Sequence, residues 1–277
     1  MEHAAPICPG RPAQRGGDVT ILILDYYSGN RQPNFAVFGQ AGFKAAIRKA
    51  SMQLSQDIEL DIDIPAQKAA GWGIGMYHWC DPIPAPTAWY KQADHFLNAI
   101  TRWDPAVLSL DVEQYWASWS DKTQKLPASR ILDNAAYLWD YIKARTNLPM
   151  MVYTARWFTA GYCPQLGPWI GNKPAWIADY YYYGAGVPSP MHADAATLAK
   201  LIPNIVADPI NTPTGVTNVV MRQFESRIWL DGTAHHYDMN VWYDDALFYD
   251  WFKLGPPPKT LEQRVTALEA KAHTHGG

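Results

Sequence analysis

Val19-Thr20-Ile21-Leu22-Ile23-Leu24 is a nearly unbroken apolar run that stops abruptly at Asp25 and gives way to Tyr26-Tyr27-Ser28-Gly29-Asn30. A strand flanked on both faces by other layers has no polar side to alternate with, so such a run reads as a buried parallel strand, its polar loop lying at the C-terminal end. The pattern recurs at residues 45–49, 73–79, 106–112, 150–154, 175–179 and 218–224, with a short piece at 238–241. Helical patterns fall between several of these. Residues 88–102 bring Ala93, Phe96, Leu97 and Ile100 to one face. Residues 130–146 do the same with Ile131, Ala135, Leu138 and Ile142, with Ser129 placed to cap the N-terminus and Pro149 marking the exit. Roughly eight strands alternating with helices, some short or missing, predict an α/β chain folded as an irregular, single-domain β/α barrel of the TIM-like kind. A doubly wound open sheet is the competing architecture, but no phosphate-binding glycine fingerprint follows the first strand.

The predicted barrel spans residues 18–254. A Pro-, Gly- and Arg-containing leader precedes it at 1–17, and a stiff break, Gly255-Pro256-Pro257-Pro258-Lys259, follows it. Beyond the break, Leu261, Val265 and Leu268 fit a heptad seam shorter than two repeats, the reading being a short C-terminal helical tail that could pair copies of the chain through residues 260–270. The leader carries no apolar signal core and no run is long enough to span a membrane, so the expectation is synthesis in a cytoplasm without a classical signal peptide and no membrane insertion. With a net charge of −3 and a pI near 6.2, nothing suggests a nucleic-acid groove. Thirteen Trp and sixteen Tyr suit both a core and a sugar cleft, since pyranose faces present C–H groups that pack on rings. Cys8, Cys80 and Cys163 are odd in number and widely spaced, which reads as free thiols rather than a disulfide or metal framework.

Val107-Leu108-Ser109-Leu110-Asp111-Val112-Glu113 carries the chemistry. Alternation along a strand puts Asp111 and Glu113 on one face and Val112 on the other. At the C-terminal end of a barrel strand that face is the mouth, where barrel enzymes place their reacting groups. Two neighbouring acids raise each other's proton affinity, so one can stay protonated while the other is charged. Glycoside hydrolysis needs that division: a proton for the leaving oxygen and an anion for the oxocarbenium-like centre. The alternative is a pair of solvated acids at a strand end. Asp25 ends the first strand in the same manner, and Asp238 falls in the last one. In a closed barrel these strands are neighbours, so all four acids could meet.

The motifs, taken in order, resemble glycoside hydrolase family 25, the Chalaropsis-type lysozymes and phage endolysins. Leu24-Asp25-Tyr26-Tyr27-Ser28-Gly29 is similar to the family's opening Asp-x-Ser region, and Lys49-Ala50-Ser51 to its Lys-Ala-Thr/Ser segment. Gly75-Met76-Tyr77-His78-Trp79 resembles its Gly-x-Tyr-His-Phe strand, and Gln92-Ala93-Asp94-His95-Phe96 its Gln-Ala-Asp-x-Phe helix. Leu110-Asp111-Val112-Glu113 matches its most specific motif; Val152-Tyr153-Thr154, the segment from Ala175 to Tyr180, and Asp238-Met239-Asn240-Val241 follow in order. The resemblance implies an irregular barrel that cuts the β-1,4 bond between N-acetylmuramic acid and N-acetylglucosamine, with no cofactor and no metal. It implies Glu113 as general acid and Asp111 as stabiliser of the oxocarbenium or of the acetamido group. Asp25 and Asp238 would complete the acidic cluster, with Tyr77, Tyr153, Trp176, Asp179 and Gln223 around the sugar. Peptidoglycan strands would be the partner, met at the cell wall after phage release or on a virion. The resemblance leaves open whether a protein nucleophile or the substrate's N-acetyl group attacks.

There are departures. Met52 replaces an acidic residue, and the usual Trp-Gln-Tyr reads Arg222-Gln223-Phe224. The stretch holding Asp57, Glu59, Asp61 and Asp63 lacks the glycine and terminal Glu of a calcium loop and reads as a solvated edge or loop. His78 reads as a hydrogen-bonded core histidine, and His235-His236 as a polar loop. His273 and His275 read as a disordered tail, with a metal-binding ring in an oligomer as the alternative. The run from Tyr180 to Tyr183 is either a sugar-stacking rim or loop packing. Two other functions compete with peptidoglycan hydrolysis: a barrel that binds glycan or builds a virion without turnover, and hydrolysis of another N-acetylated polysaccharide.

Overall fold

The computed structural model describes residues 21–181 and 191–255. The leader, the Pro-rich break, the heptad tail with His273 and His275, Cys8, Tyr182 and Tyr183 lie outside the described residues. The strands are β1 (Ile21–Tyr26), β2 (Phe43–Met52), β3 (Ser55–Gln56), β4 (Gly73–Trp79), β5 (Val107–Asp111), β6 (Met150–Ala155), β7 (Ala175–Ala178), β8 (Met191–Ala193), β9 (Val219–Leu230) and β10 (Tyr237–Trp242). The helices are α1 (Phe35–Gln40), α2 (Leu60–Ala69), α3 (Trp89–Thr101), α4 (Ala128–Lys143), α5 (Arg156–Tyr162), α6 (Leu166–Ile170), α7 (Ala195–Ala207) and α8 (Asp245–Phe252).

Eight strands close in the order β1-β2-β4-β5-β6-β7-β9-β10, because β1 pairs with β2 on one side and β10 on the other. That closure excludes the open sheet. Every pairing from β1 round to β9 is parallel, but β10 runs antiparallel to both β9 and β1. The all-parallel barrel is therefore corrected at one strand. The cause is local: only six residues separate β9 from β10, enough for a hairpin and far too few for a crossover helix. The antiparallel register sets Asp25 directly opposite Asp238.

α3 and α4 pack their expected faces, with Ala93, Phe96, Ile100, Ile131, Ala135, Leu138 and Ile142 buried in one cluster with the barrel strands. The outer face of β1, β9 and β10 forms a second cluster with α1 and α7 through Leu24, Phe38, Leu198 and Phe224. α8 closes the barrel opposite the mouth. The Phe252 ring lies against Gly73, where an added Cβ would sit 2.6 Å from Cδ1. Gly75, one pleat higher on the same face, lets Ile47 of β2 approach so closely that a Cβ would meet its Cγ1 at 2.8 Å.

Two local expectations are overturned. Ser129 does not cap α4; the helix starts at Ala128 behind Pro127, whose fixed φ of −60° leads into it with no side-chain cap. The acidic stretch is neither a loop nor a solvated edge from residue 60 onward. It is α2, whose first turn carries Asp61 and Asp63, favourable at a helix N-terminus. Asp63 is fully buried, accepting from Arg48 Nε at 2.7 Å, while Arg48 Nη2 meets Asp57 at 2.6 Å. Burial raises the proton affinity of Asp57, but hydrogen bonding and charge from Arg48 outweigh it and hold that carboxyl below its ordinary range. Arg48 also lies 4.9 Å from the Tyr26 ring centroid. Cys80 and Cys163 are buried free thiols. No described helix is long and apolar enough to cross a membrane.

Candidate active site

The C-terminal ends of the parallel strands surround a cleft of about 370 Å³ lined by Asp25, Asp111, Glu113 and Asp238, with Tyr77, Tyr153, Trp176 and Gln223 among its walls. The four acids arrive from three places in the chain. Asp25 belongs to β1, Asp238 to β10, Asp111 ends β5, and Glu113 sits two residues beyond it on the same pleat.

Asp25 is the most tightly held. Its Oδ2 accepts from Asn240 Nδ2 at 2.7 Å and from Gln223 Nε2 at 3.1 Å. Gln223 is itself fixed, its Oε1 accepting from the Tyr153 and Tyr180 hydroxyls at 2.9 and 3.1 Å. Asn240 accepts from Trp176 Nε1 at 2.7 Å, so one amide links the indole to the acid. Tyr153 packs edge-on to Trp176 with centroids 4.5 Å apart. The result is a rigid wall of rings and amides on the β6–β10 side. Asp111 and Glu113 differ from Asp25 in accepting no side-chain hydrogen bond of this kind among the described residues. The Oδ1 of Asp111 is buried without a hydrogen-bond partner among the described residues, an unmet acceptor in the cleft.

Asp179 stands apart from the cleft. Its carboxylate lies 3.1 Å from Arg222 Nη2 and accepts from the backbone and side chain of Asn211. Arg222 explains its own departure from the family pattern. Alternation along β9 points Gln223 into the mouth and Arg222 outward beneath α7, where its guanidinium ties Asp179, Asp208 and the Ile205 carbonyl together.

A match to the family model described as glycosyl hydrolases family 25 covers residues 24–196, more than half of the chain. The chain belongs to glycosyl hydrolase family 25. Solved structures share its fold. The bacterial lysozyme from Streptomyces coelicolor superposes with a TM-score of 0.62 at 18% identity, over 85% of this chain and 97% of that one. A family 25 glycosyl hydrolase from Bacillus anthracis gives 0.60 at 13% identity, over 83% and 92%. The catalytic domain of an endolysin from a Listeria monocytogenes bacteriophage gives 0.61 at 16%, over 87% and 100%. No curated protein sequence matches the chain.

In this family 25 hydrolase burial and mutual repulsion oppose the simultaneous ionisation of the four acids. Burial pushes Glu113 up to about 7; the Asp25 charge adds to the rise and Lys49 opposes it. Burial likewise lifts Asp25 to about 6, against the hydrogen bonds from Asn240 and Gln223. Asp111 and Asp238 lie well above the ordinary carboxylate range, first through burial and then through their acidic neighbours. Such a site can hold a proton on one carboxyl and a negative charge on another at neutral pH, which is the requirement of acid-assisted glycosidic cleavage. Among the described residues no group of three or more His, Cys, Asp or Glu is arranged to hold a metal ion.

Sequence reasoning missed several walls of the site: Tyr27, Lys49, Trp79, Trp116, Trp119 and Lys122, together with Asn240 behind Asp25. Asn240 was visible in principle, since it lies two residues from Asp238 and so shares its face. His78 is a core histidine. Its Nε2 meets Gln92 Oε1 at 3.1 Å and its Nδ1 meets the Ser51 hydroxyl at 2.9 Å. Gln92 Oε1 also accepts from the Asp81 amide, so Nε2 carries the ring proton and Ser51 donates to Nδ1. Burial holds this imidazole at about 4, hence neutral.

Proposed function

We propose that the chain is an N-acetylmuramidase that hydrolyses the β-1,4 bond between N-acetylmuramic acid and N-acetylglucosamine in peptidoglycan. The observation that carries the reading is Glu113, held at about 7 by burial at the mouth of a family 25 barrel and ringed by Asp25, Asp111 and Asp238. Glu113 protonates the leaving oxygen. Asp111, whose buried Oδ1 has no partner among the described residues, takes the acetamido N–H or the developing positive charge. Asp25, anchored by Asn240 and Gln223, and Asp238 opposite it complete the acidic field. Tyr77, Tyr153 and Trp176 supply ring surface to the sugar, and Gln223 links that wall to Asp25.

The enzyme acts at the bacterial cell wall, and the phage endolysin among the structural neighbours supports release at lysis as its route there, with carriage on a virion as the alternative. Residues 260–270 would join copies of the chain in the virion form. The test is digestion of peptidoglycan sacculi with mass spectrometry of the new reducing ends, run beside Glu113→Gln. Muramic acid ends from the parent and a loss of roughly 10²–10⁴-fold in the variant are expected. Sacculi of several wall types left uncut by the parent would sink the reading.

A further inference from the structure

Between Glu113 and α4 the chain forms a small two-stranded finger over residues 115–126. Trp116 bridges Lys125 in antiparallel fashion, the Ala117 amide donates to the Gln124 carbonyl at 2.8 Å, and the Leu126 amide donates to that of Tyr115 at 2.8 Å. The finger is anchored at its base. Tyr115 stacks flat on Tyr162 of α5 with centroids 3.9 Å apart, and the Lys125 ammonium lies 4.1 Å from the Tyr115 centroid.

Its tip reaches the cleft. Trp116, Trp119 and Lys122 all line it, and Trp119 leaves 41% of its surface open to solvent. The Lys122 ammonium sits 4.8 Å from the Trp116 centroid and 5.9 Å from that of Trp119. The neighbouring acid does not neutralise it. Asp121 is turned back into the finger, accepting from the Thr123 amide and hydroxyl at 3.0 and 2.6 Å and from Gln124 Nε2 at 2.9 Å. Lys122 makes no ion pair among the described residues. The other cation of the cleft, Lys49, is committed deeper, where the charges of Asp111, Asp57 and Glu113 act on it.

We propose that the finger is a subsite selective for an acidic sugar, with Trp119 as the platform for the pyranose ring and Lys122 as the receptor for a carboxylate hanging from it. A cation lying over two indoles at the edge of a cleft that gathers four acids has little use for a neutral glycan. It matches one whose alternate residues bear carboxylates, either the free lactyl group of muramic acid or the acids of its peptide stem. This assignment rests on the muramidase reading. It explains how a site whose centre repels anions can still hold an anionic polymer: attraction is displaced outward along the strand, away from the protonated Glu113.

The test is calorimetric binding in a Glu113→Gln background, with three probes: peptide-free muroglycan oligosaccharides, stem-bearing muroglycan oligosaccharides, and N-acetylchitotetraose. Lys122→Ala is expected to weaken at least one charged probe roughly 5–10-fold at low salt while chitotetraose changes less than twofold. Loss confined to the peptide-free probe assigns the lactyl carboxylate, and loss confined to the stem-bearing probe assigns the stem. Trp119→Ala should weaken all three, and Lys122→Arg should keep the charge preference. Equal losses on charged and neutral probes, or none on any, overturn the proposal. Failure of the muramidase reading is seen separately, as uncut sacculi with the parent protein.

Discussion

At the scale of single residues the cleft is governed by how few charges act on Glu113. Its elevation comes first from burial, then from Asp25, and is reduced by Lys49. Lys49 comes from β2 and reaches the cleft between the Tyr27 and Trp79 rings, its ammonium 5.4 and 5.0 Å from their centroids. The proton donor must be protonated to work, so activity should fall as pH rises through about 7, the value of Glu113. Replacing Lys49 by Met removes the cation that favours the charged form of Glu113. The alkaline limb of the kcat/KM profile should therefore move to higher pH, by about half a unit to one unit. A variant that merely loosened the cleft would lower kcat and leave that limb in place, so a pH profile on soluble glycan separates the two. Lys49 was quoted in the sequence only as part of a family segment. Nothing in its spacing told that the side chain would turn toward acids contributed by β5, because that contact exists only once the barrel closes.

At the scale of elements, what could be read from the sequence was what depends on local periodicity. The apolar runs at 21–24, 73–79 and 150–154 and the faces of α3 and α4 announce themselves, because burial imposes a fixed repeat on the residues that face the core. α2 did not. Glu59-Leu60-Asp61-Ile62-Asp63-Ile64-Pro65 alternates with period two and ends in proline, yet it opens a helix in which Arg48 of β2 pairs with buried Asp63 and also with Asp57 just before the segment. The same pair closes the segment onto the loop after β1, where the Ser28 amide donates to Asp57 at 3.2 Å. Arg48→Met should leave Asp63 buried without its cation and destabilise the fold by about 3–5 kcal/mol. Urea titration of the variant checks this; a loss below about 1 kcal/mol would mean that α2 is held by its apolar face through Leu60 and Ile64 alone. The direction of β10 was hidden for a related reason: strand polarity follows the length of the connection, and the apolar pattern fades after residue 224 and resumes at 238, a gap of thirteen residues, whereas β9 runs on to Leu230 and leaves only six.

At the scale of the whole molecule the cleft is a place where function and stability oppose each other. Four acids were recognisable from three separate parts of the sequence, and chain closure between β1 and β10 is what concentrates them. Burying them there raises their proton affinities above those of the unfolded chain, with the Asp25 charge adding to the rise at Glu113: Glu113 goes from 4.5 to about 7 and Asp25 from 3.8 to about 6. Between those limits the folded protein holds more protons than the unfolded one, so these groups weaken the fold as pH rises through the window and relieve it as pH falls. His78 acts in the opposite sense. Its imidazole is depressed from 6.5 to about 4, so the unfolded chain takes up the extra proton and stability declines as pH drops below about 6.5. The wild-type profile is the sum of both, and substitution at Glu113 separates them. Gln keeps the shape and the neutral form, so Glu113→Gln should be more stable than the parent at pH 8, on the order of 1–2 kcal/mol after allowance for its partial exposure. The difference should shrink steadily as pH falls from about 7 and vanish only about one unit below 4.5, where Glu113 is protonated in the folded and the unfolded state alike. Thermal melts of the two proteins across that range measure it directly. A constant gap would mean that the glutamate contributes packing rather than a perturbed charge, and the case for Glu113 as a proton donor poised near neutrality would lose its physical basis.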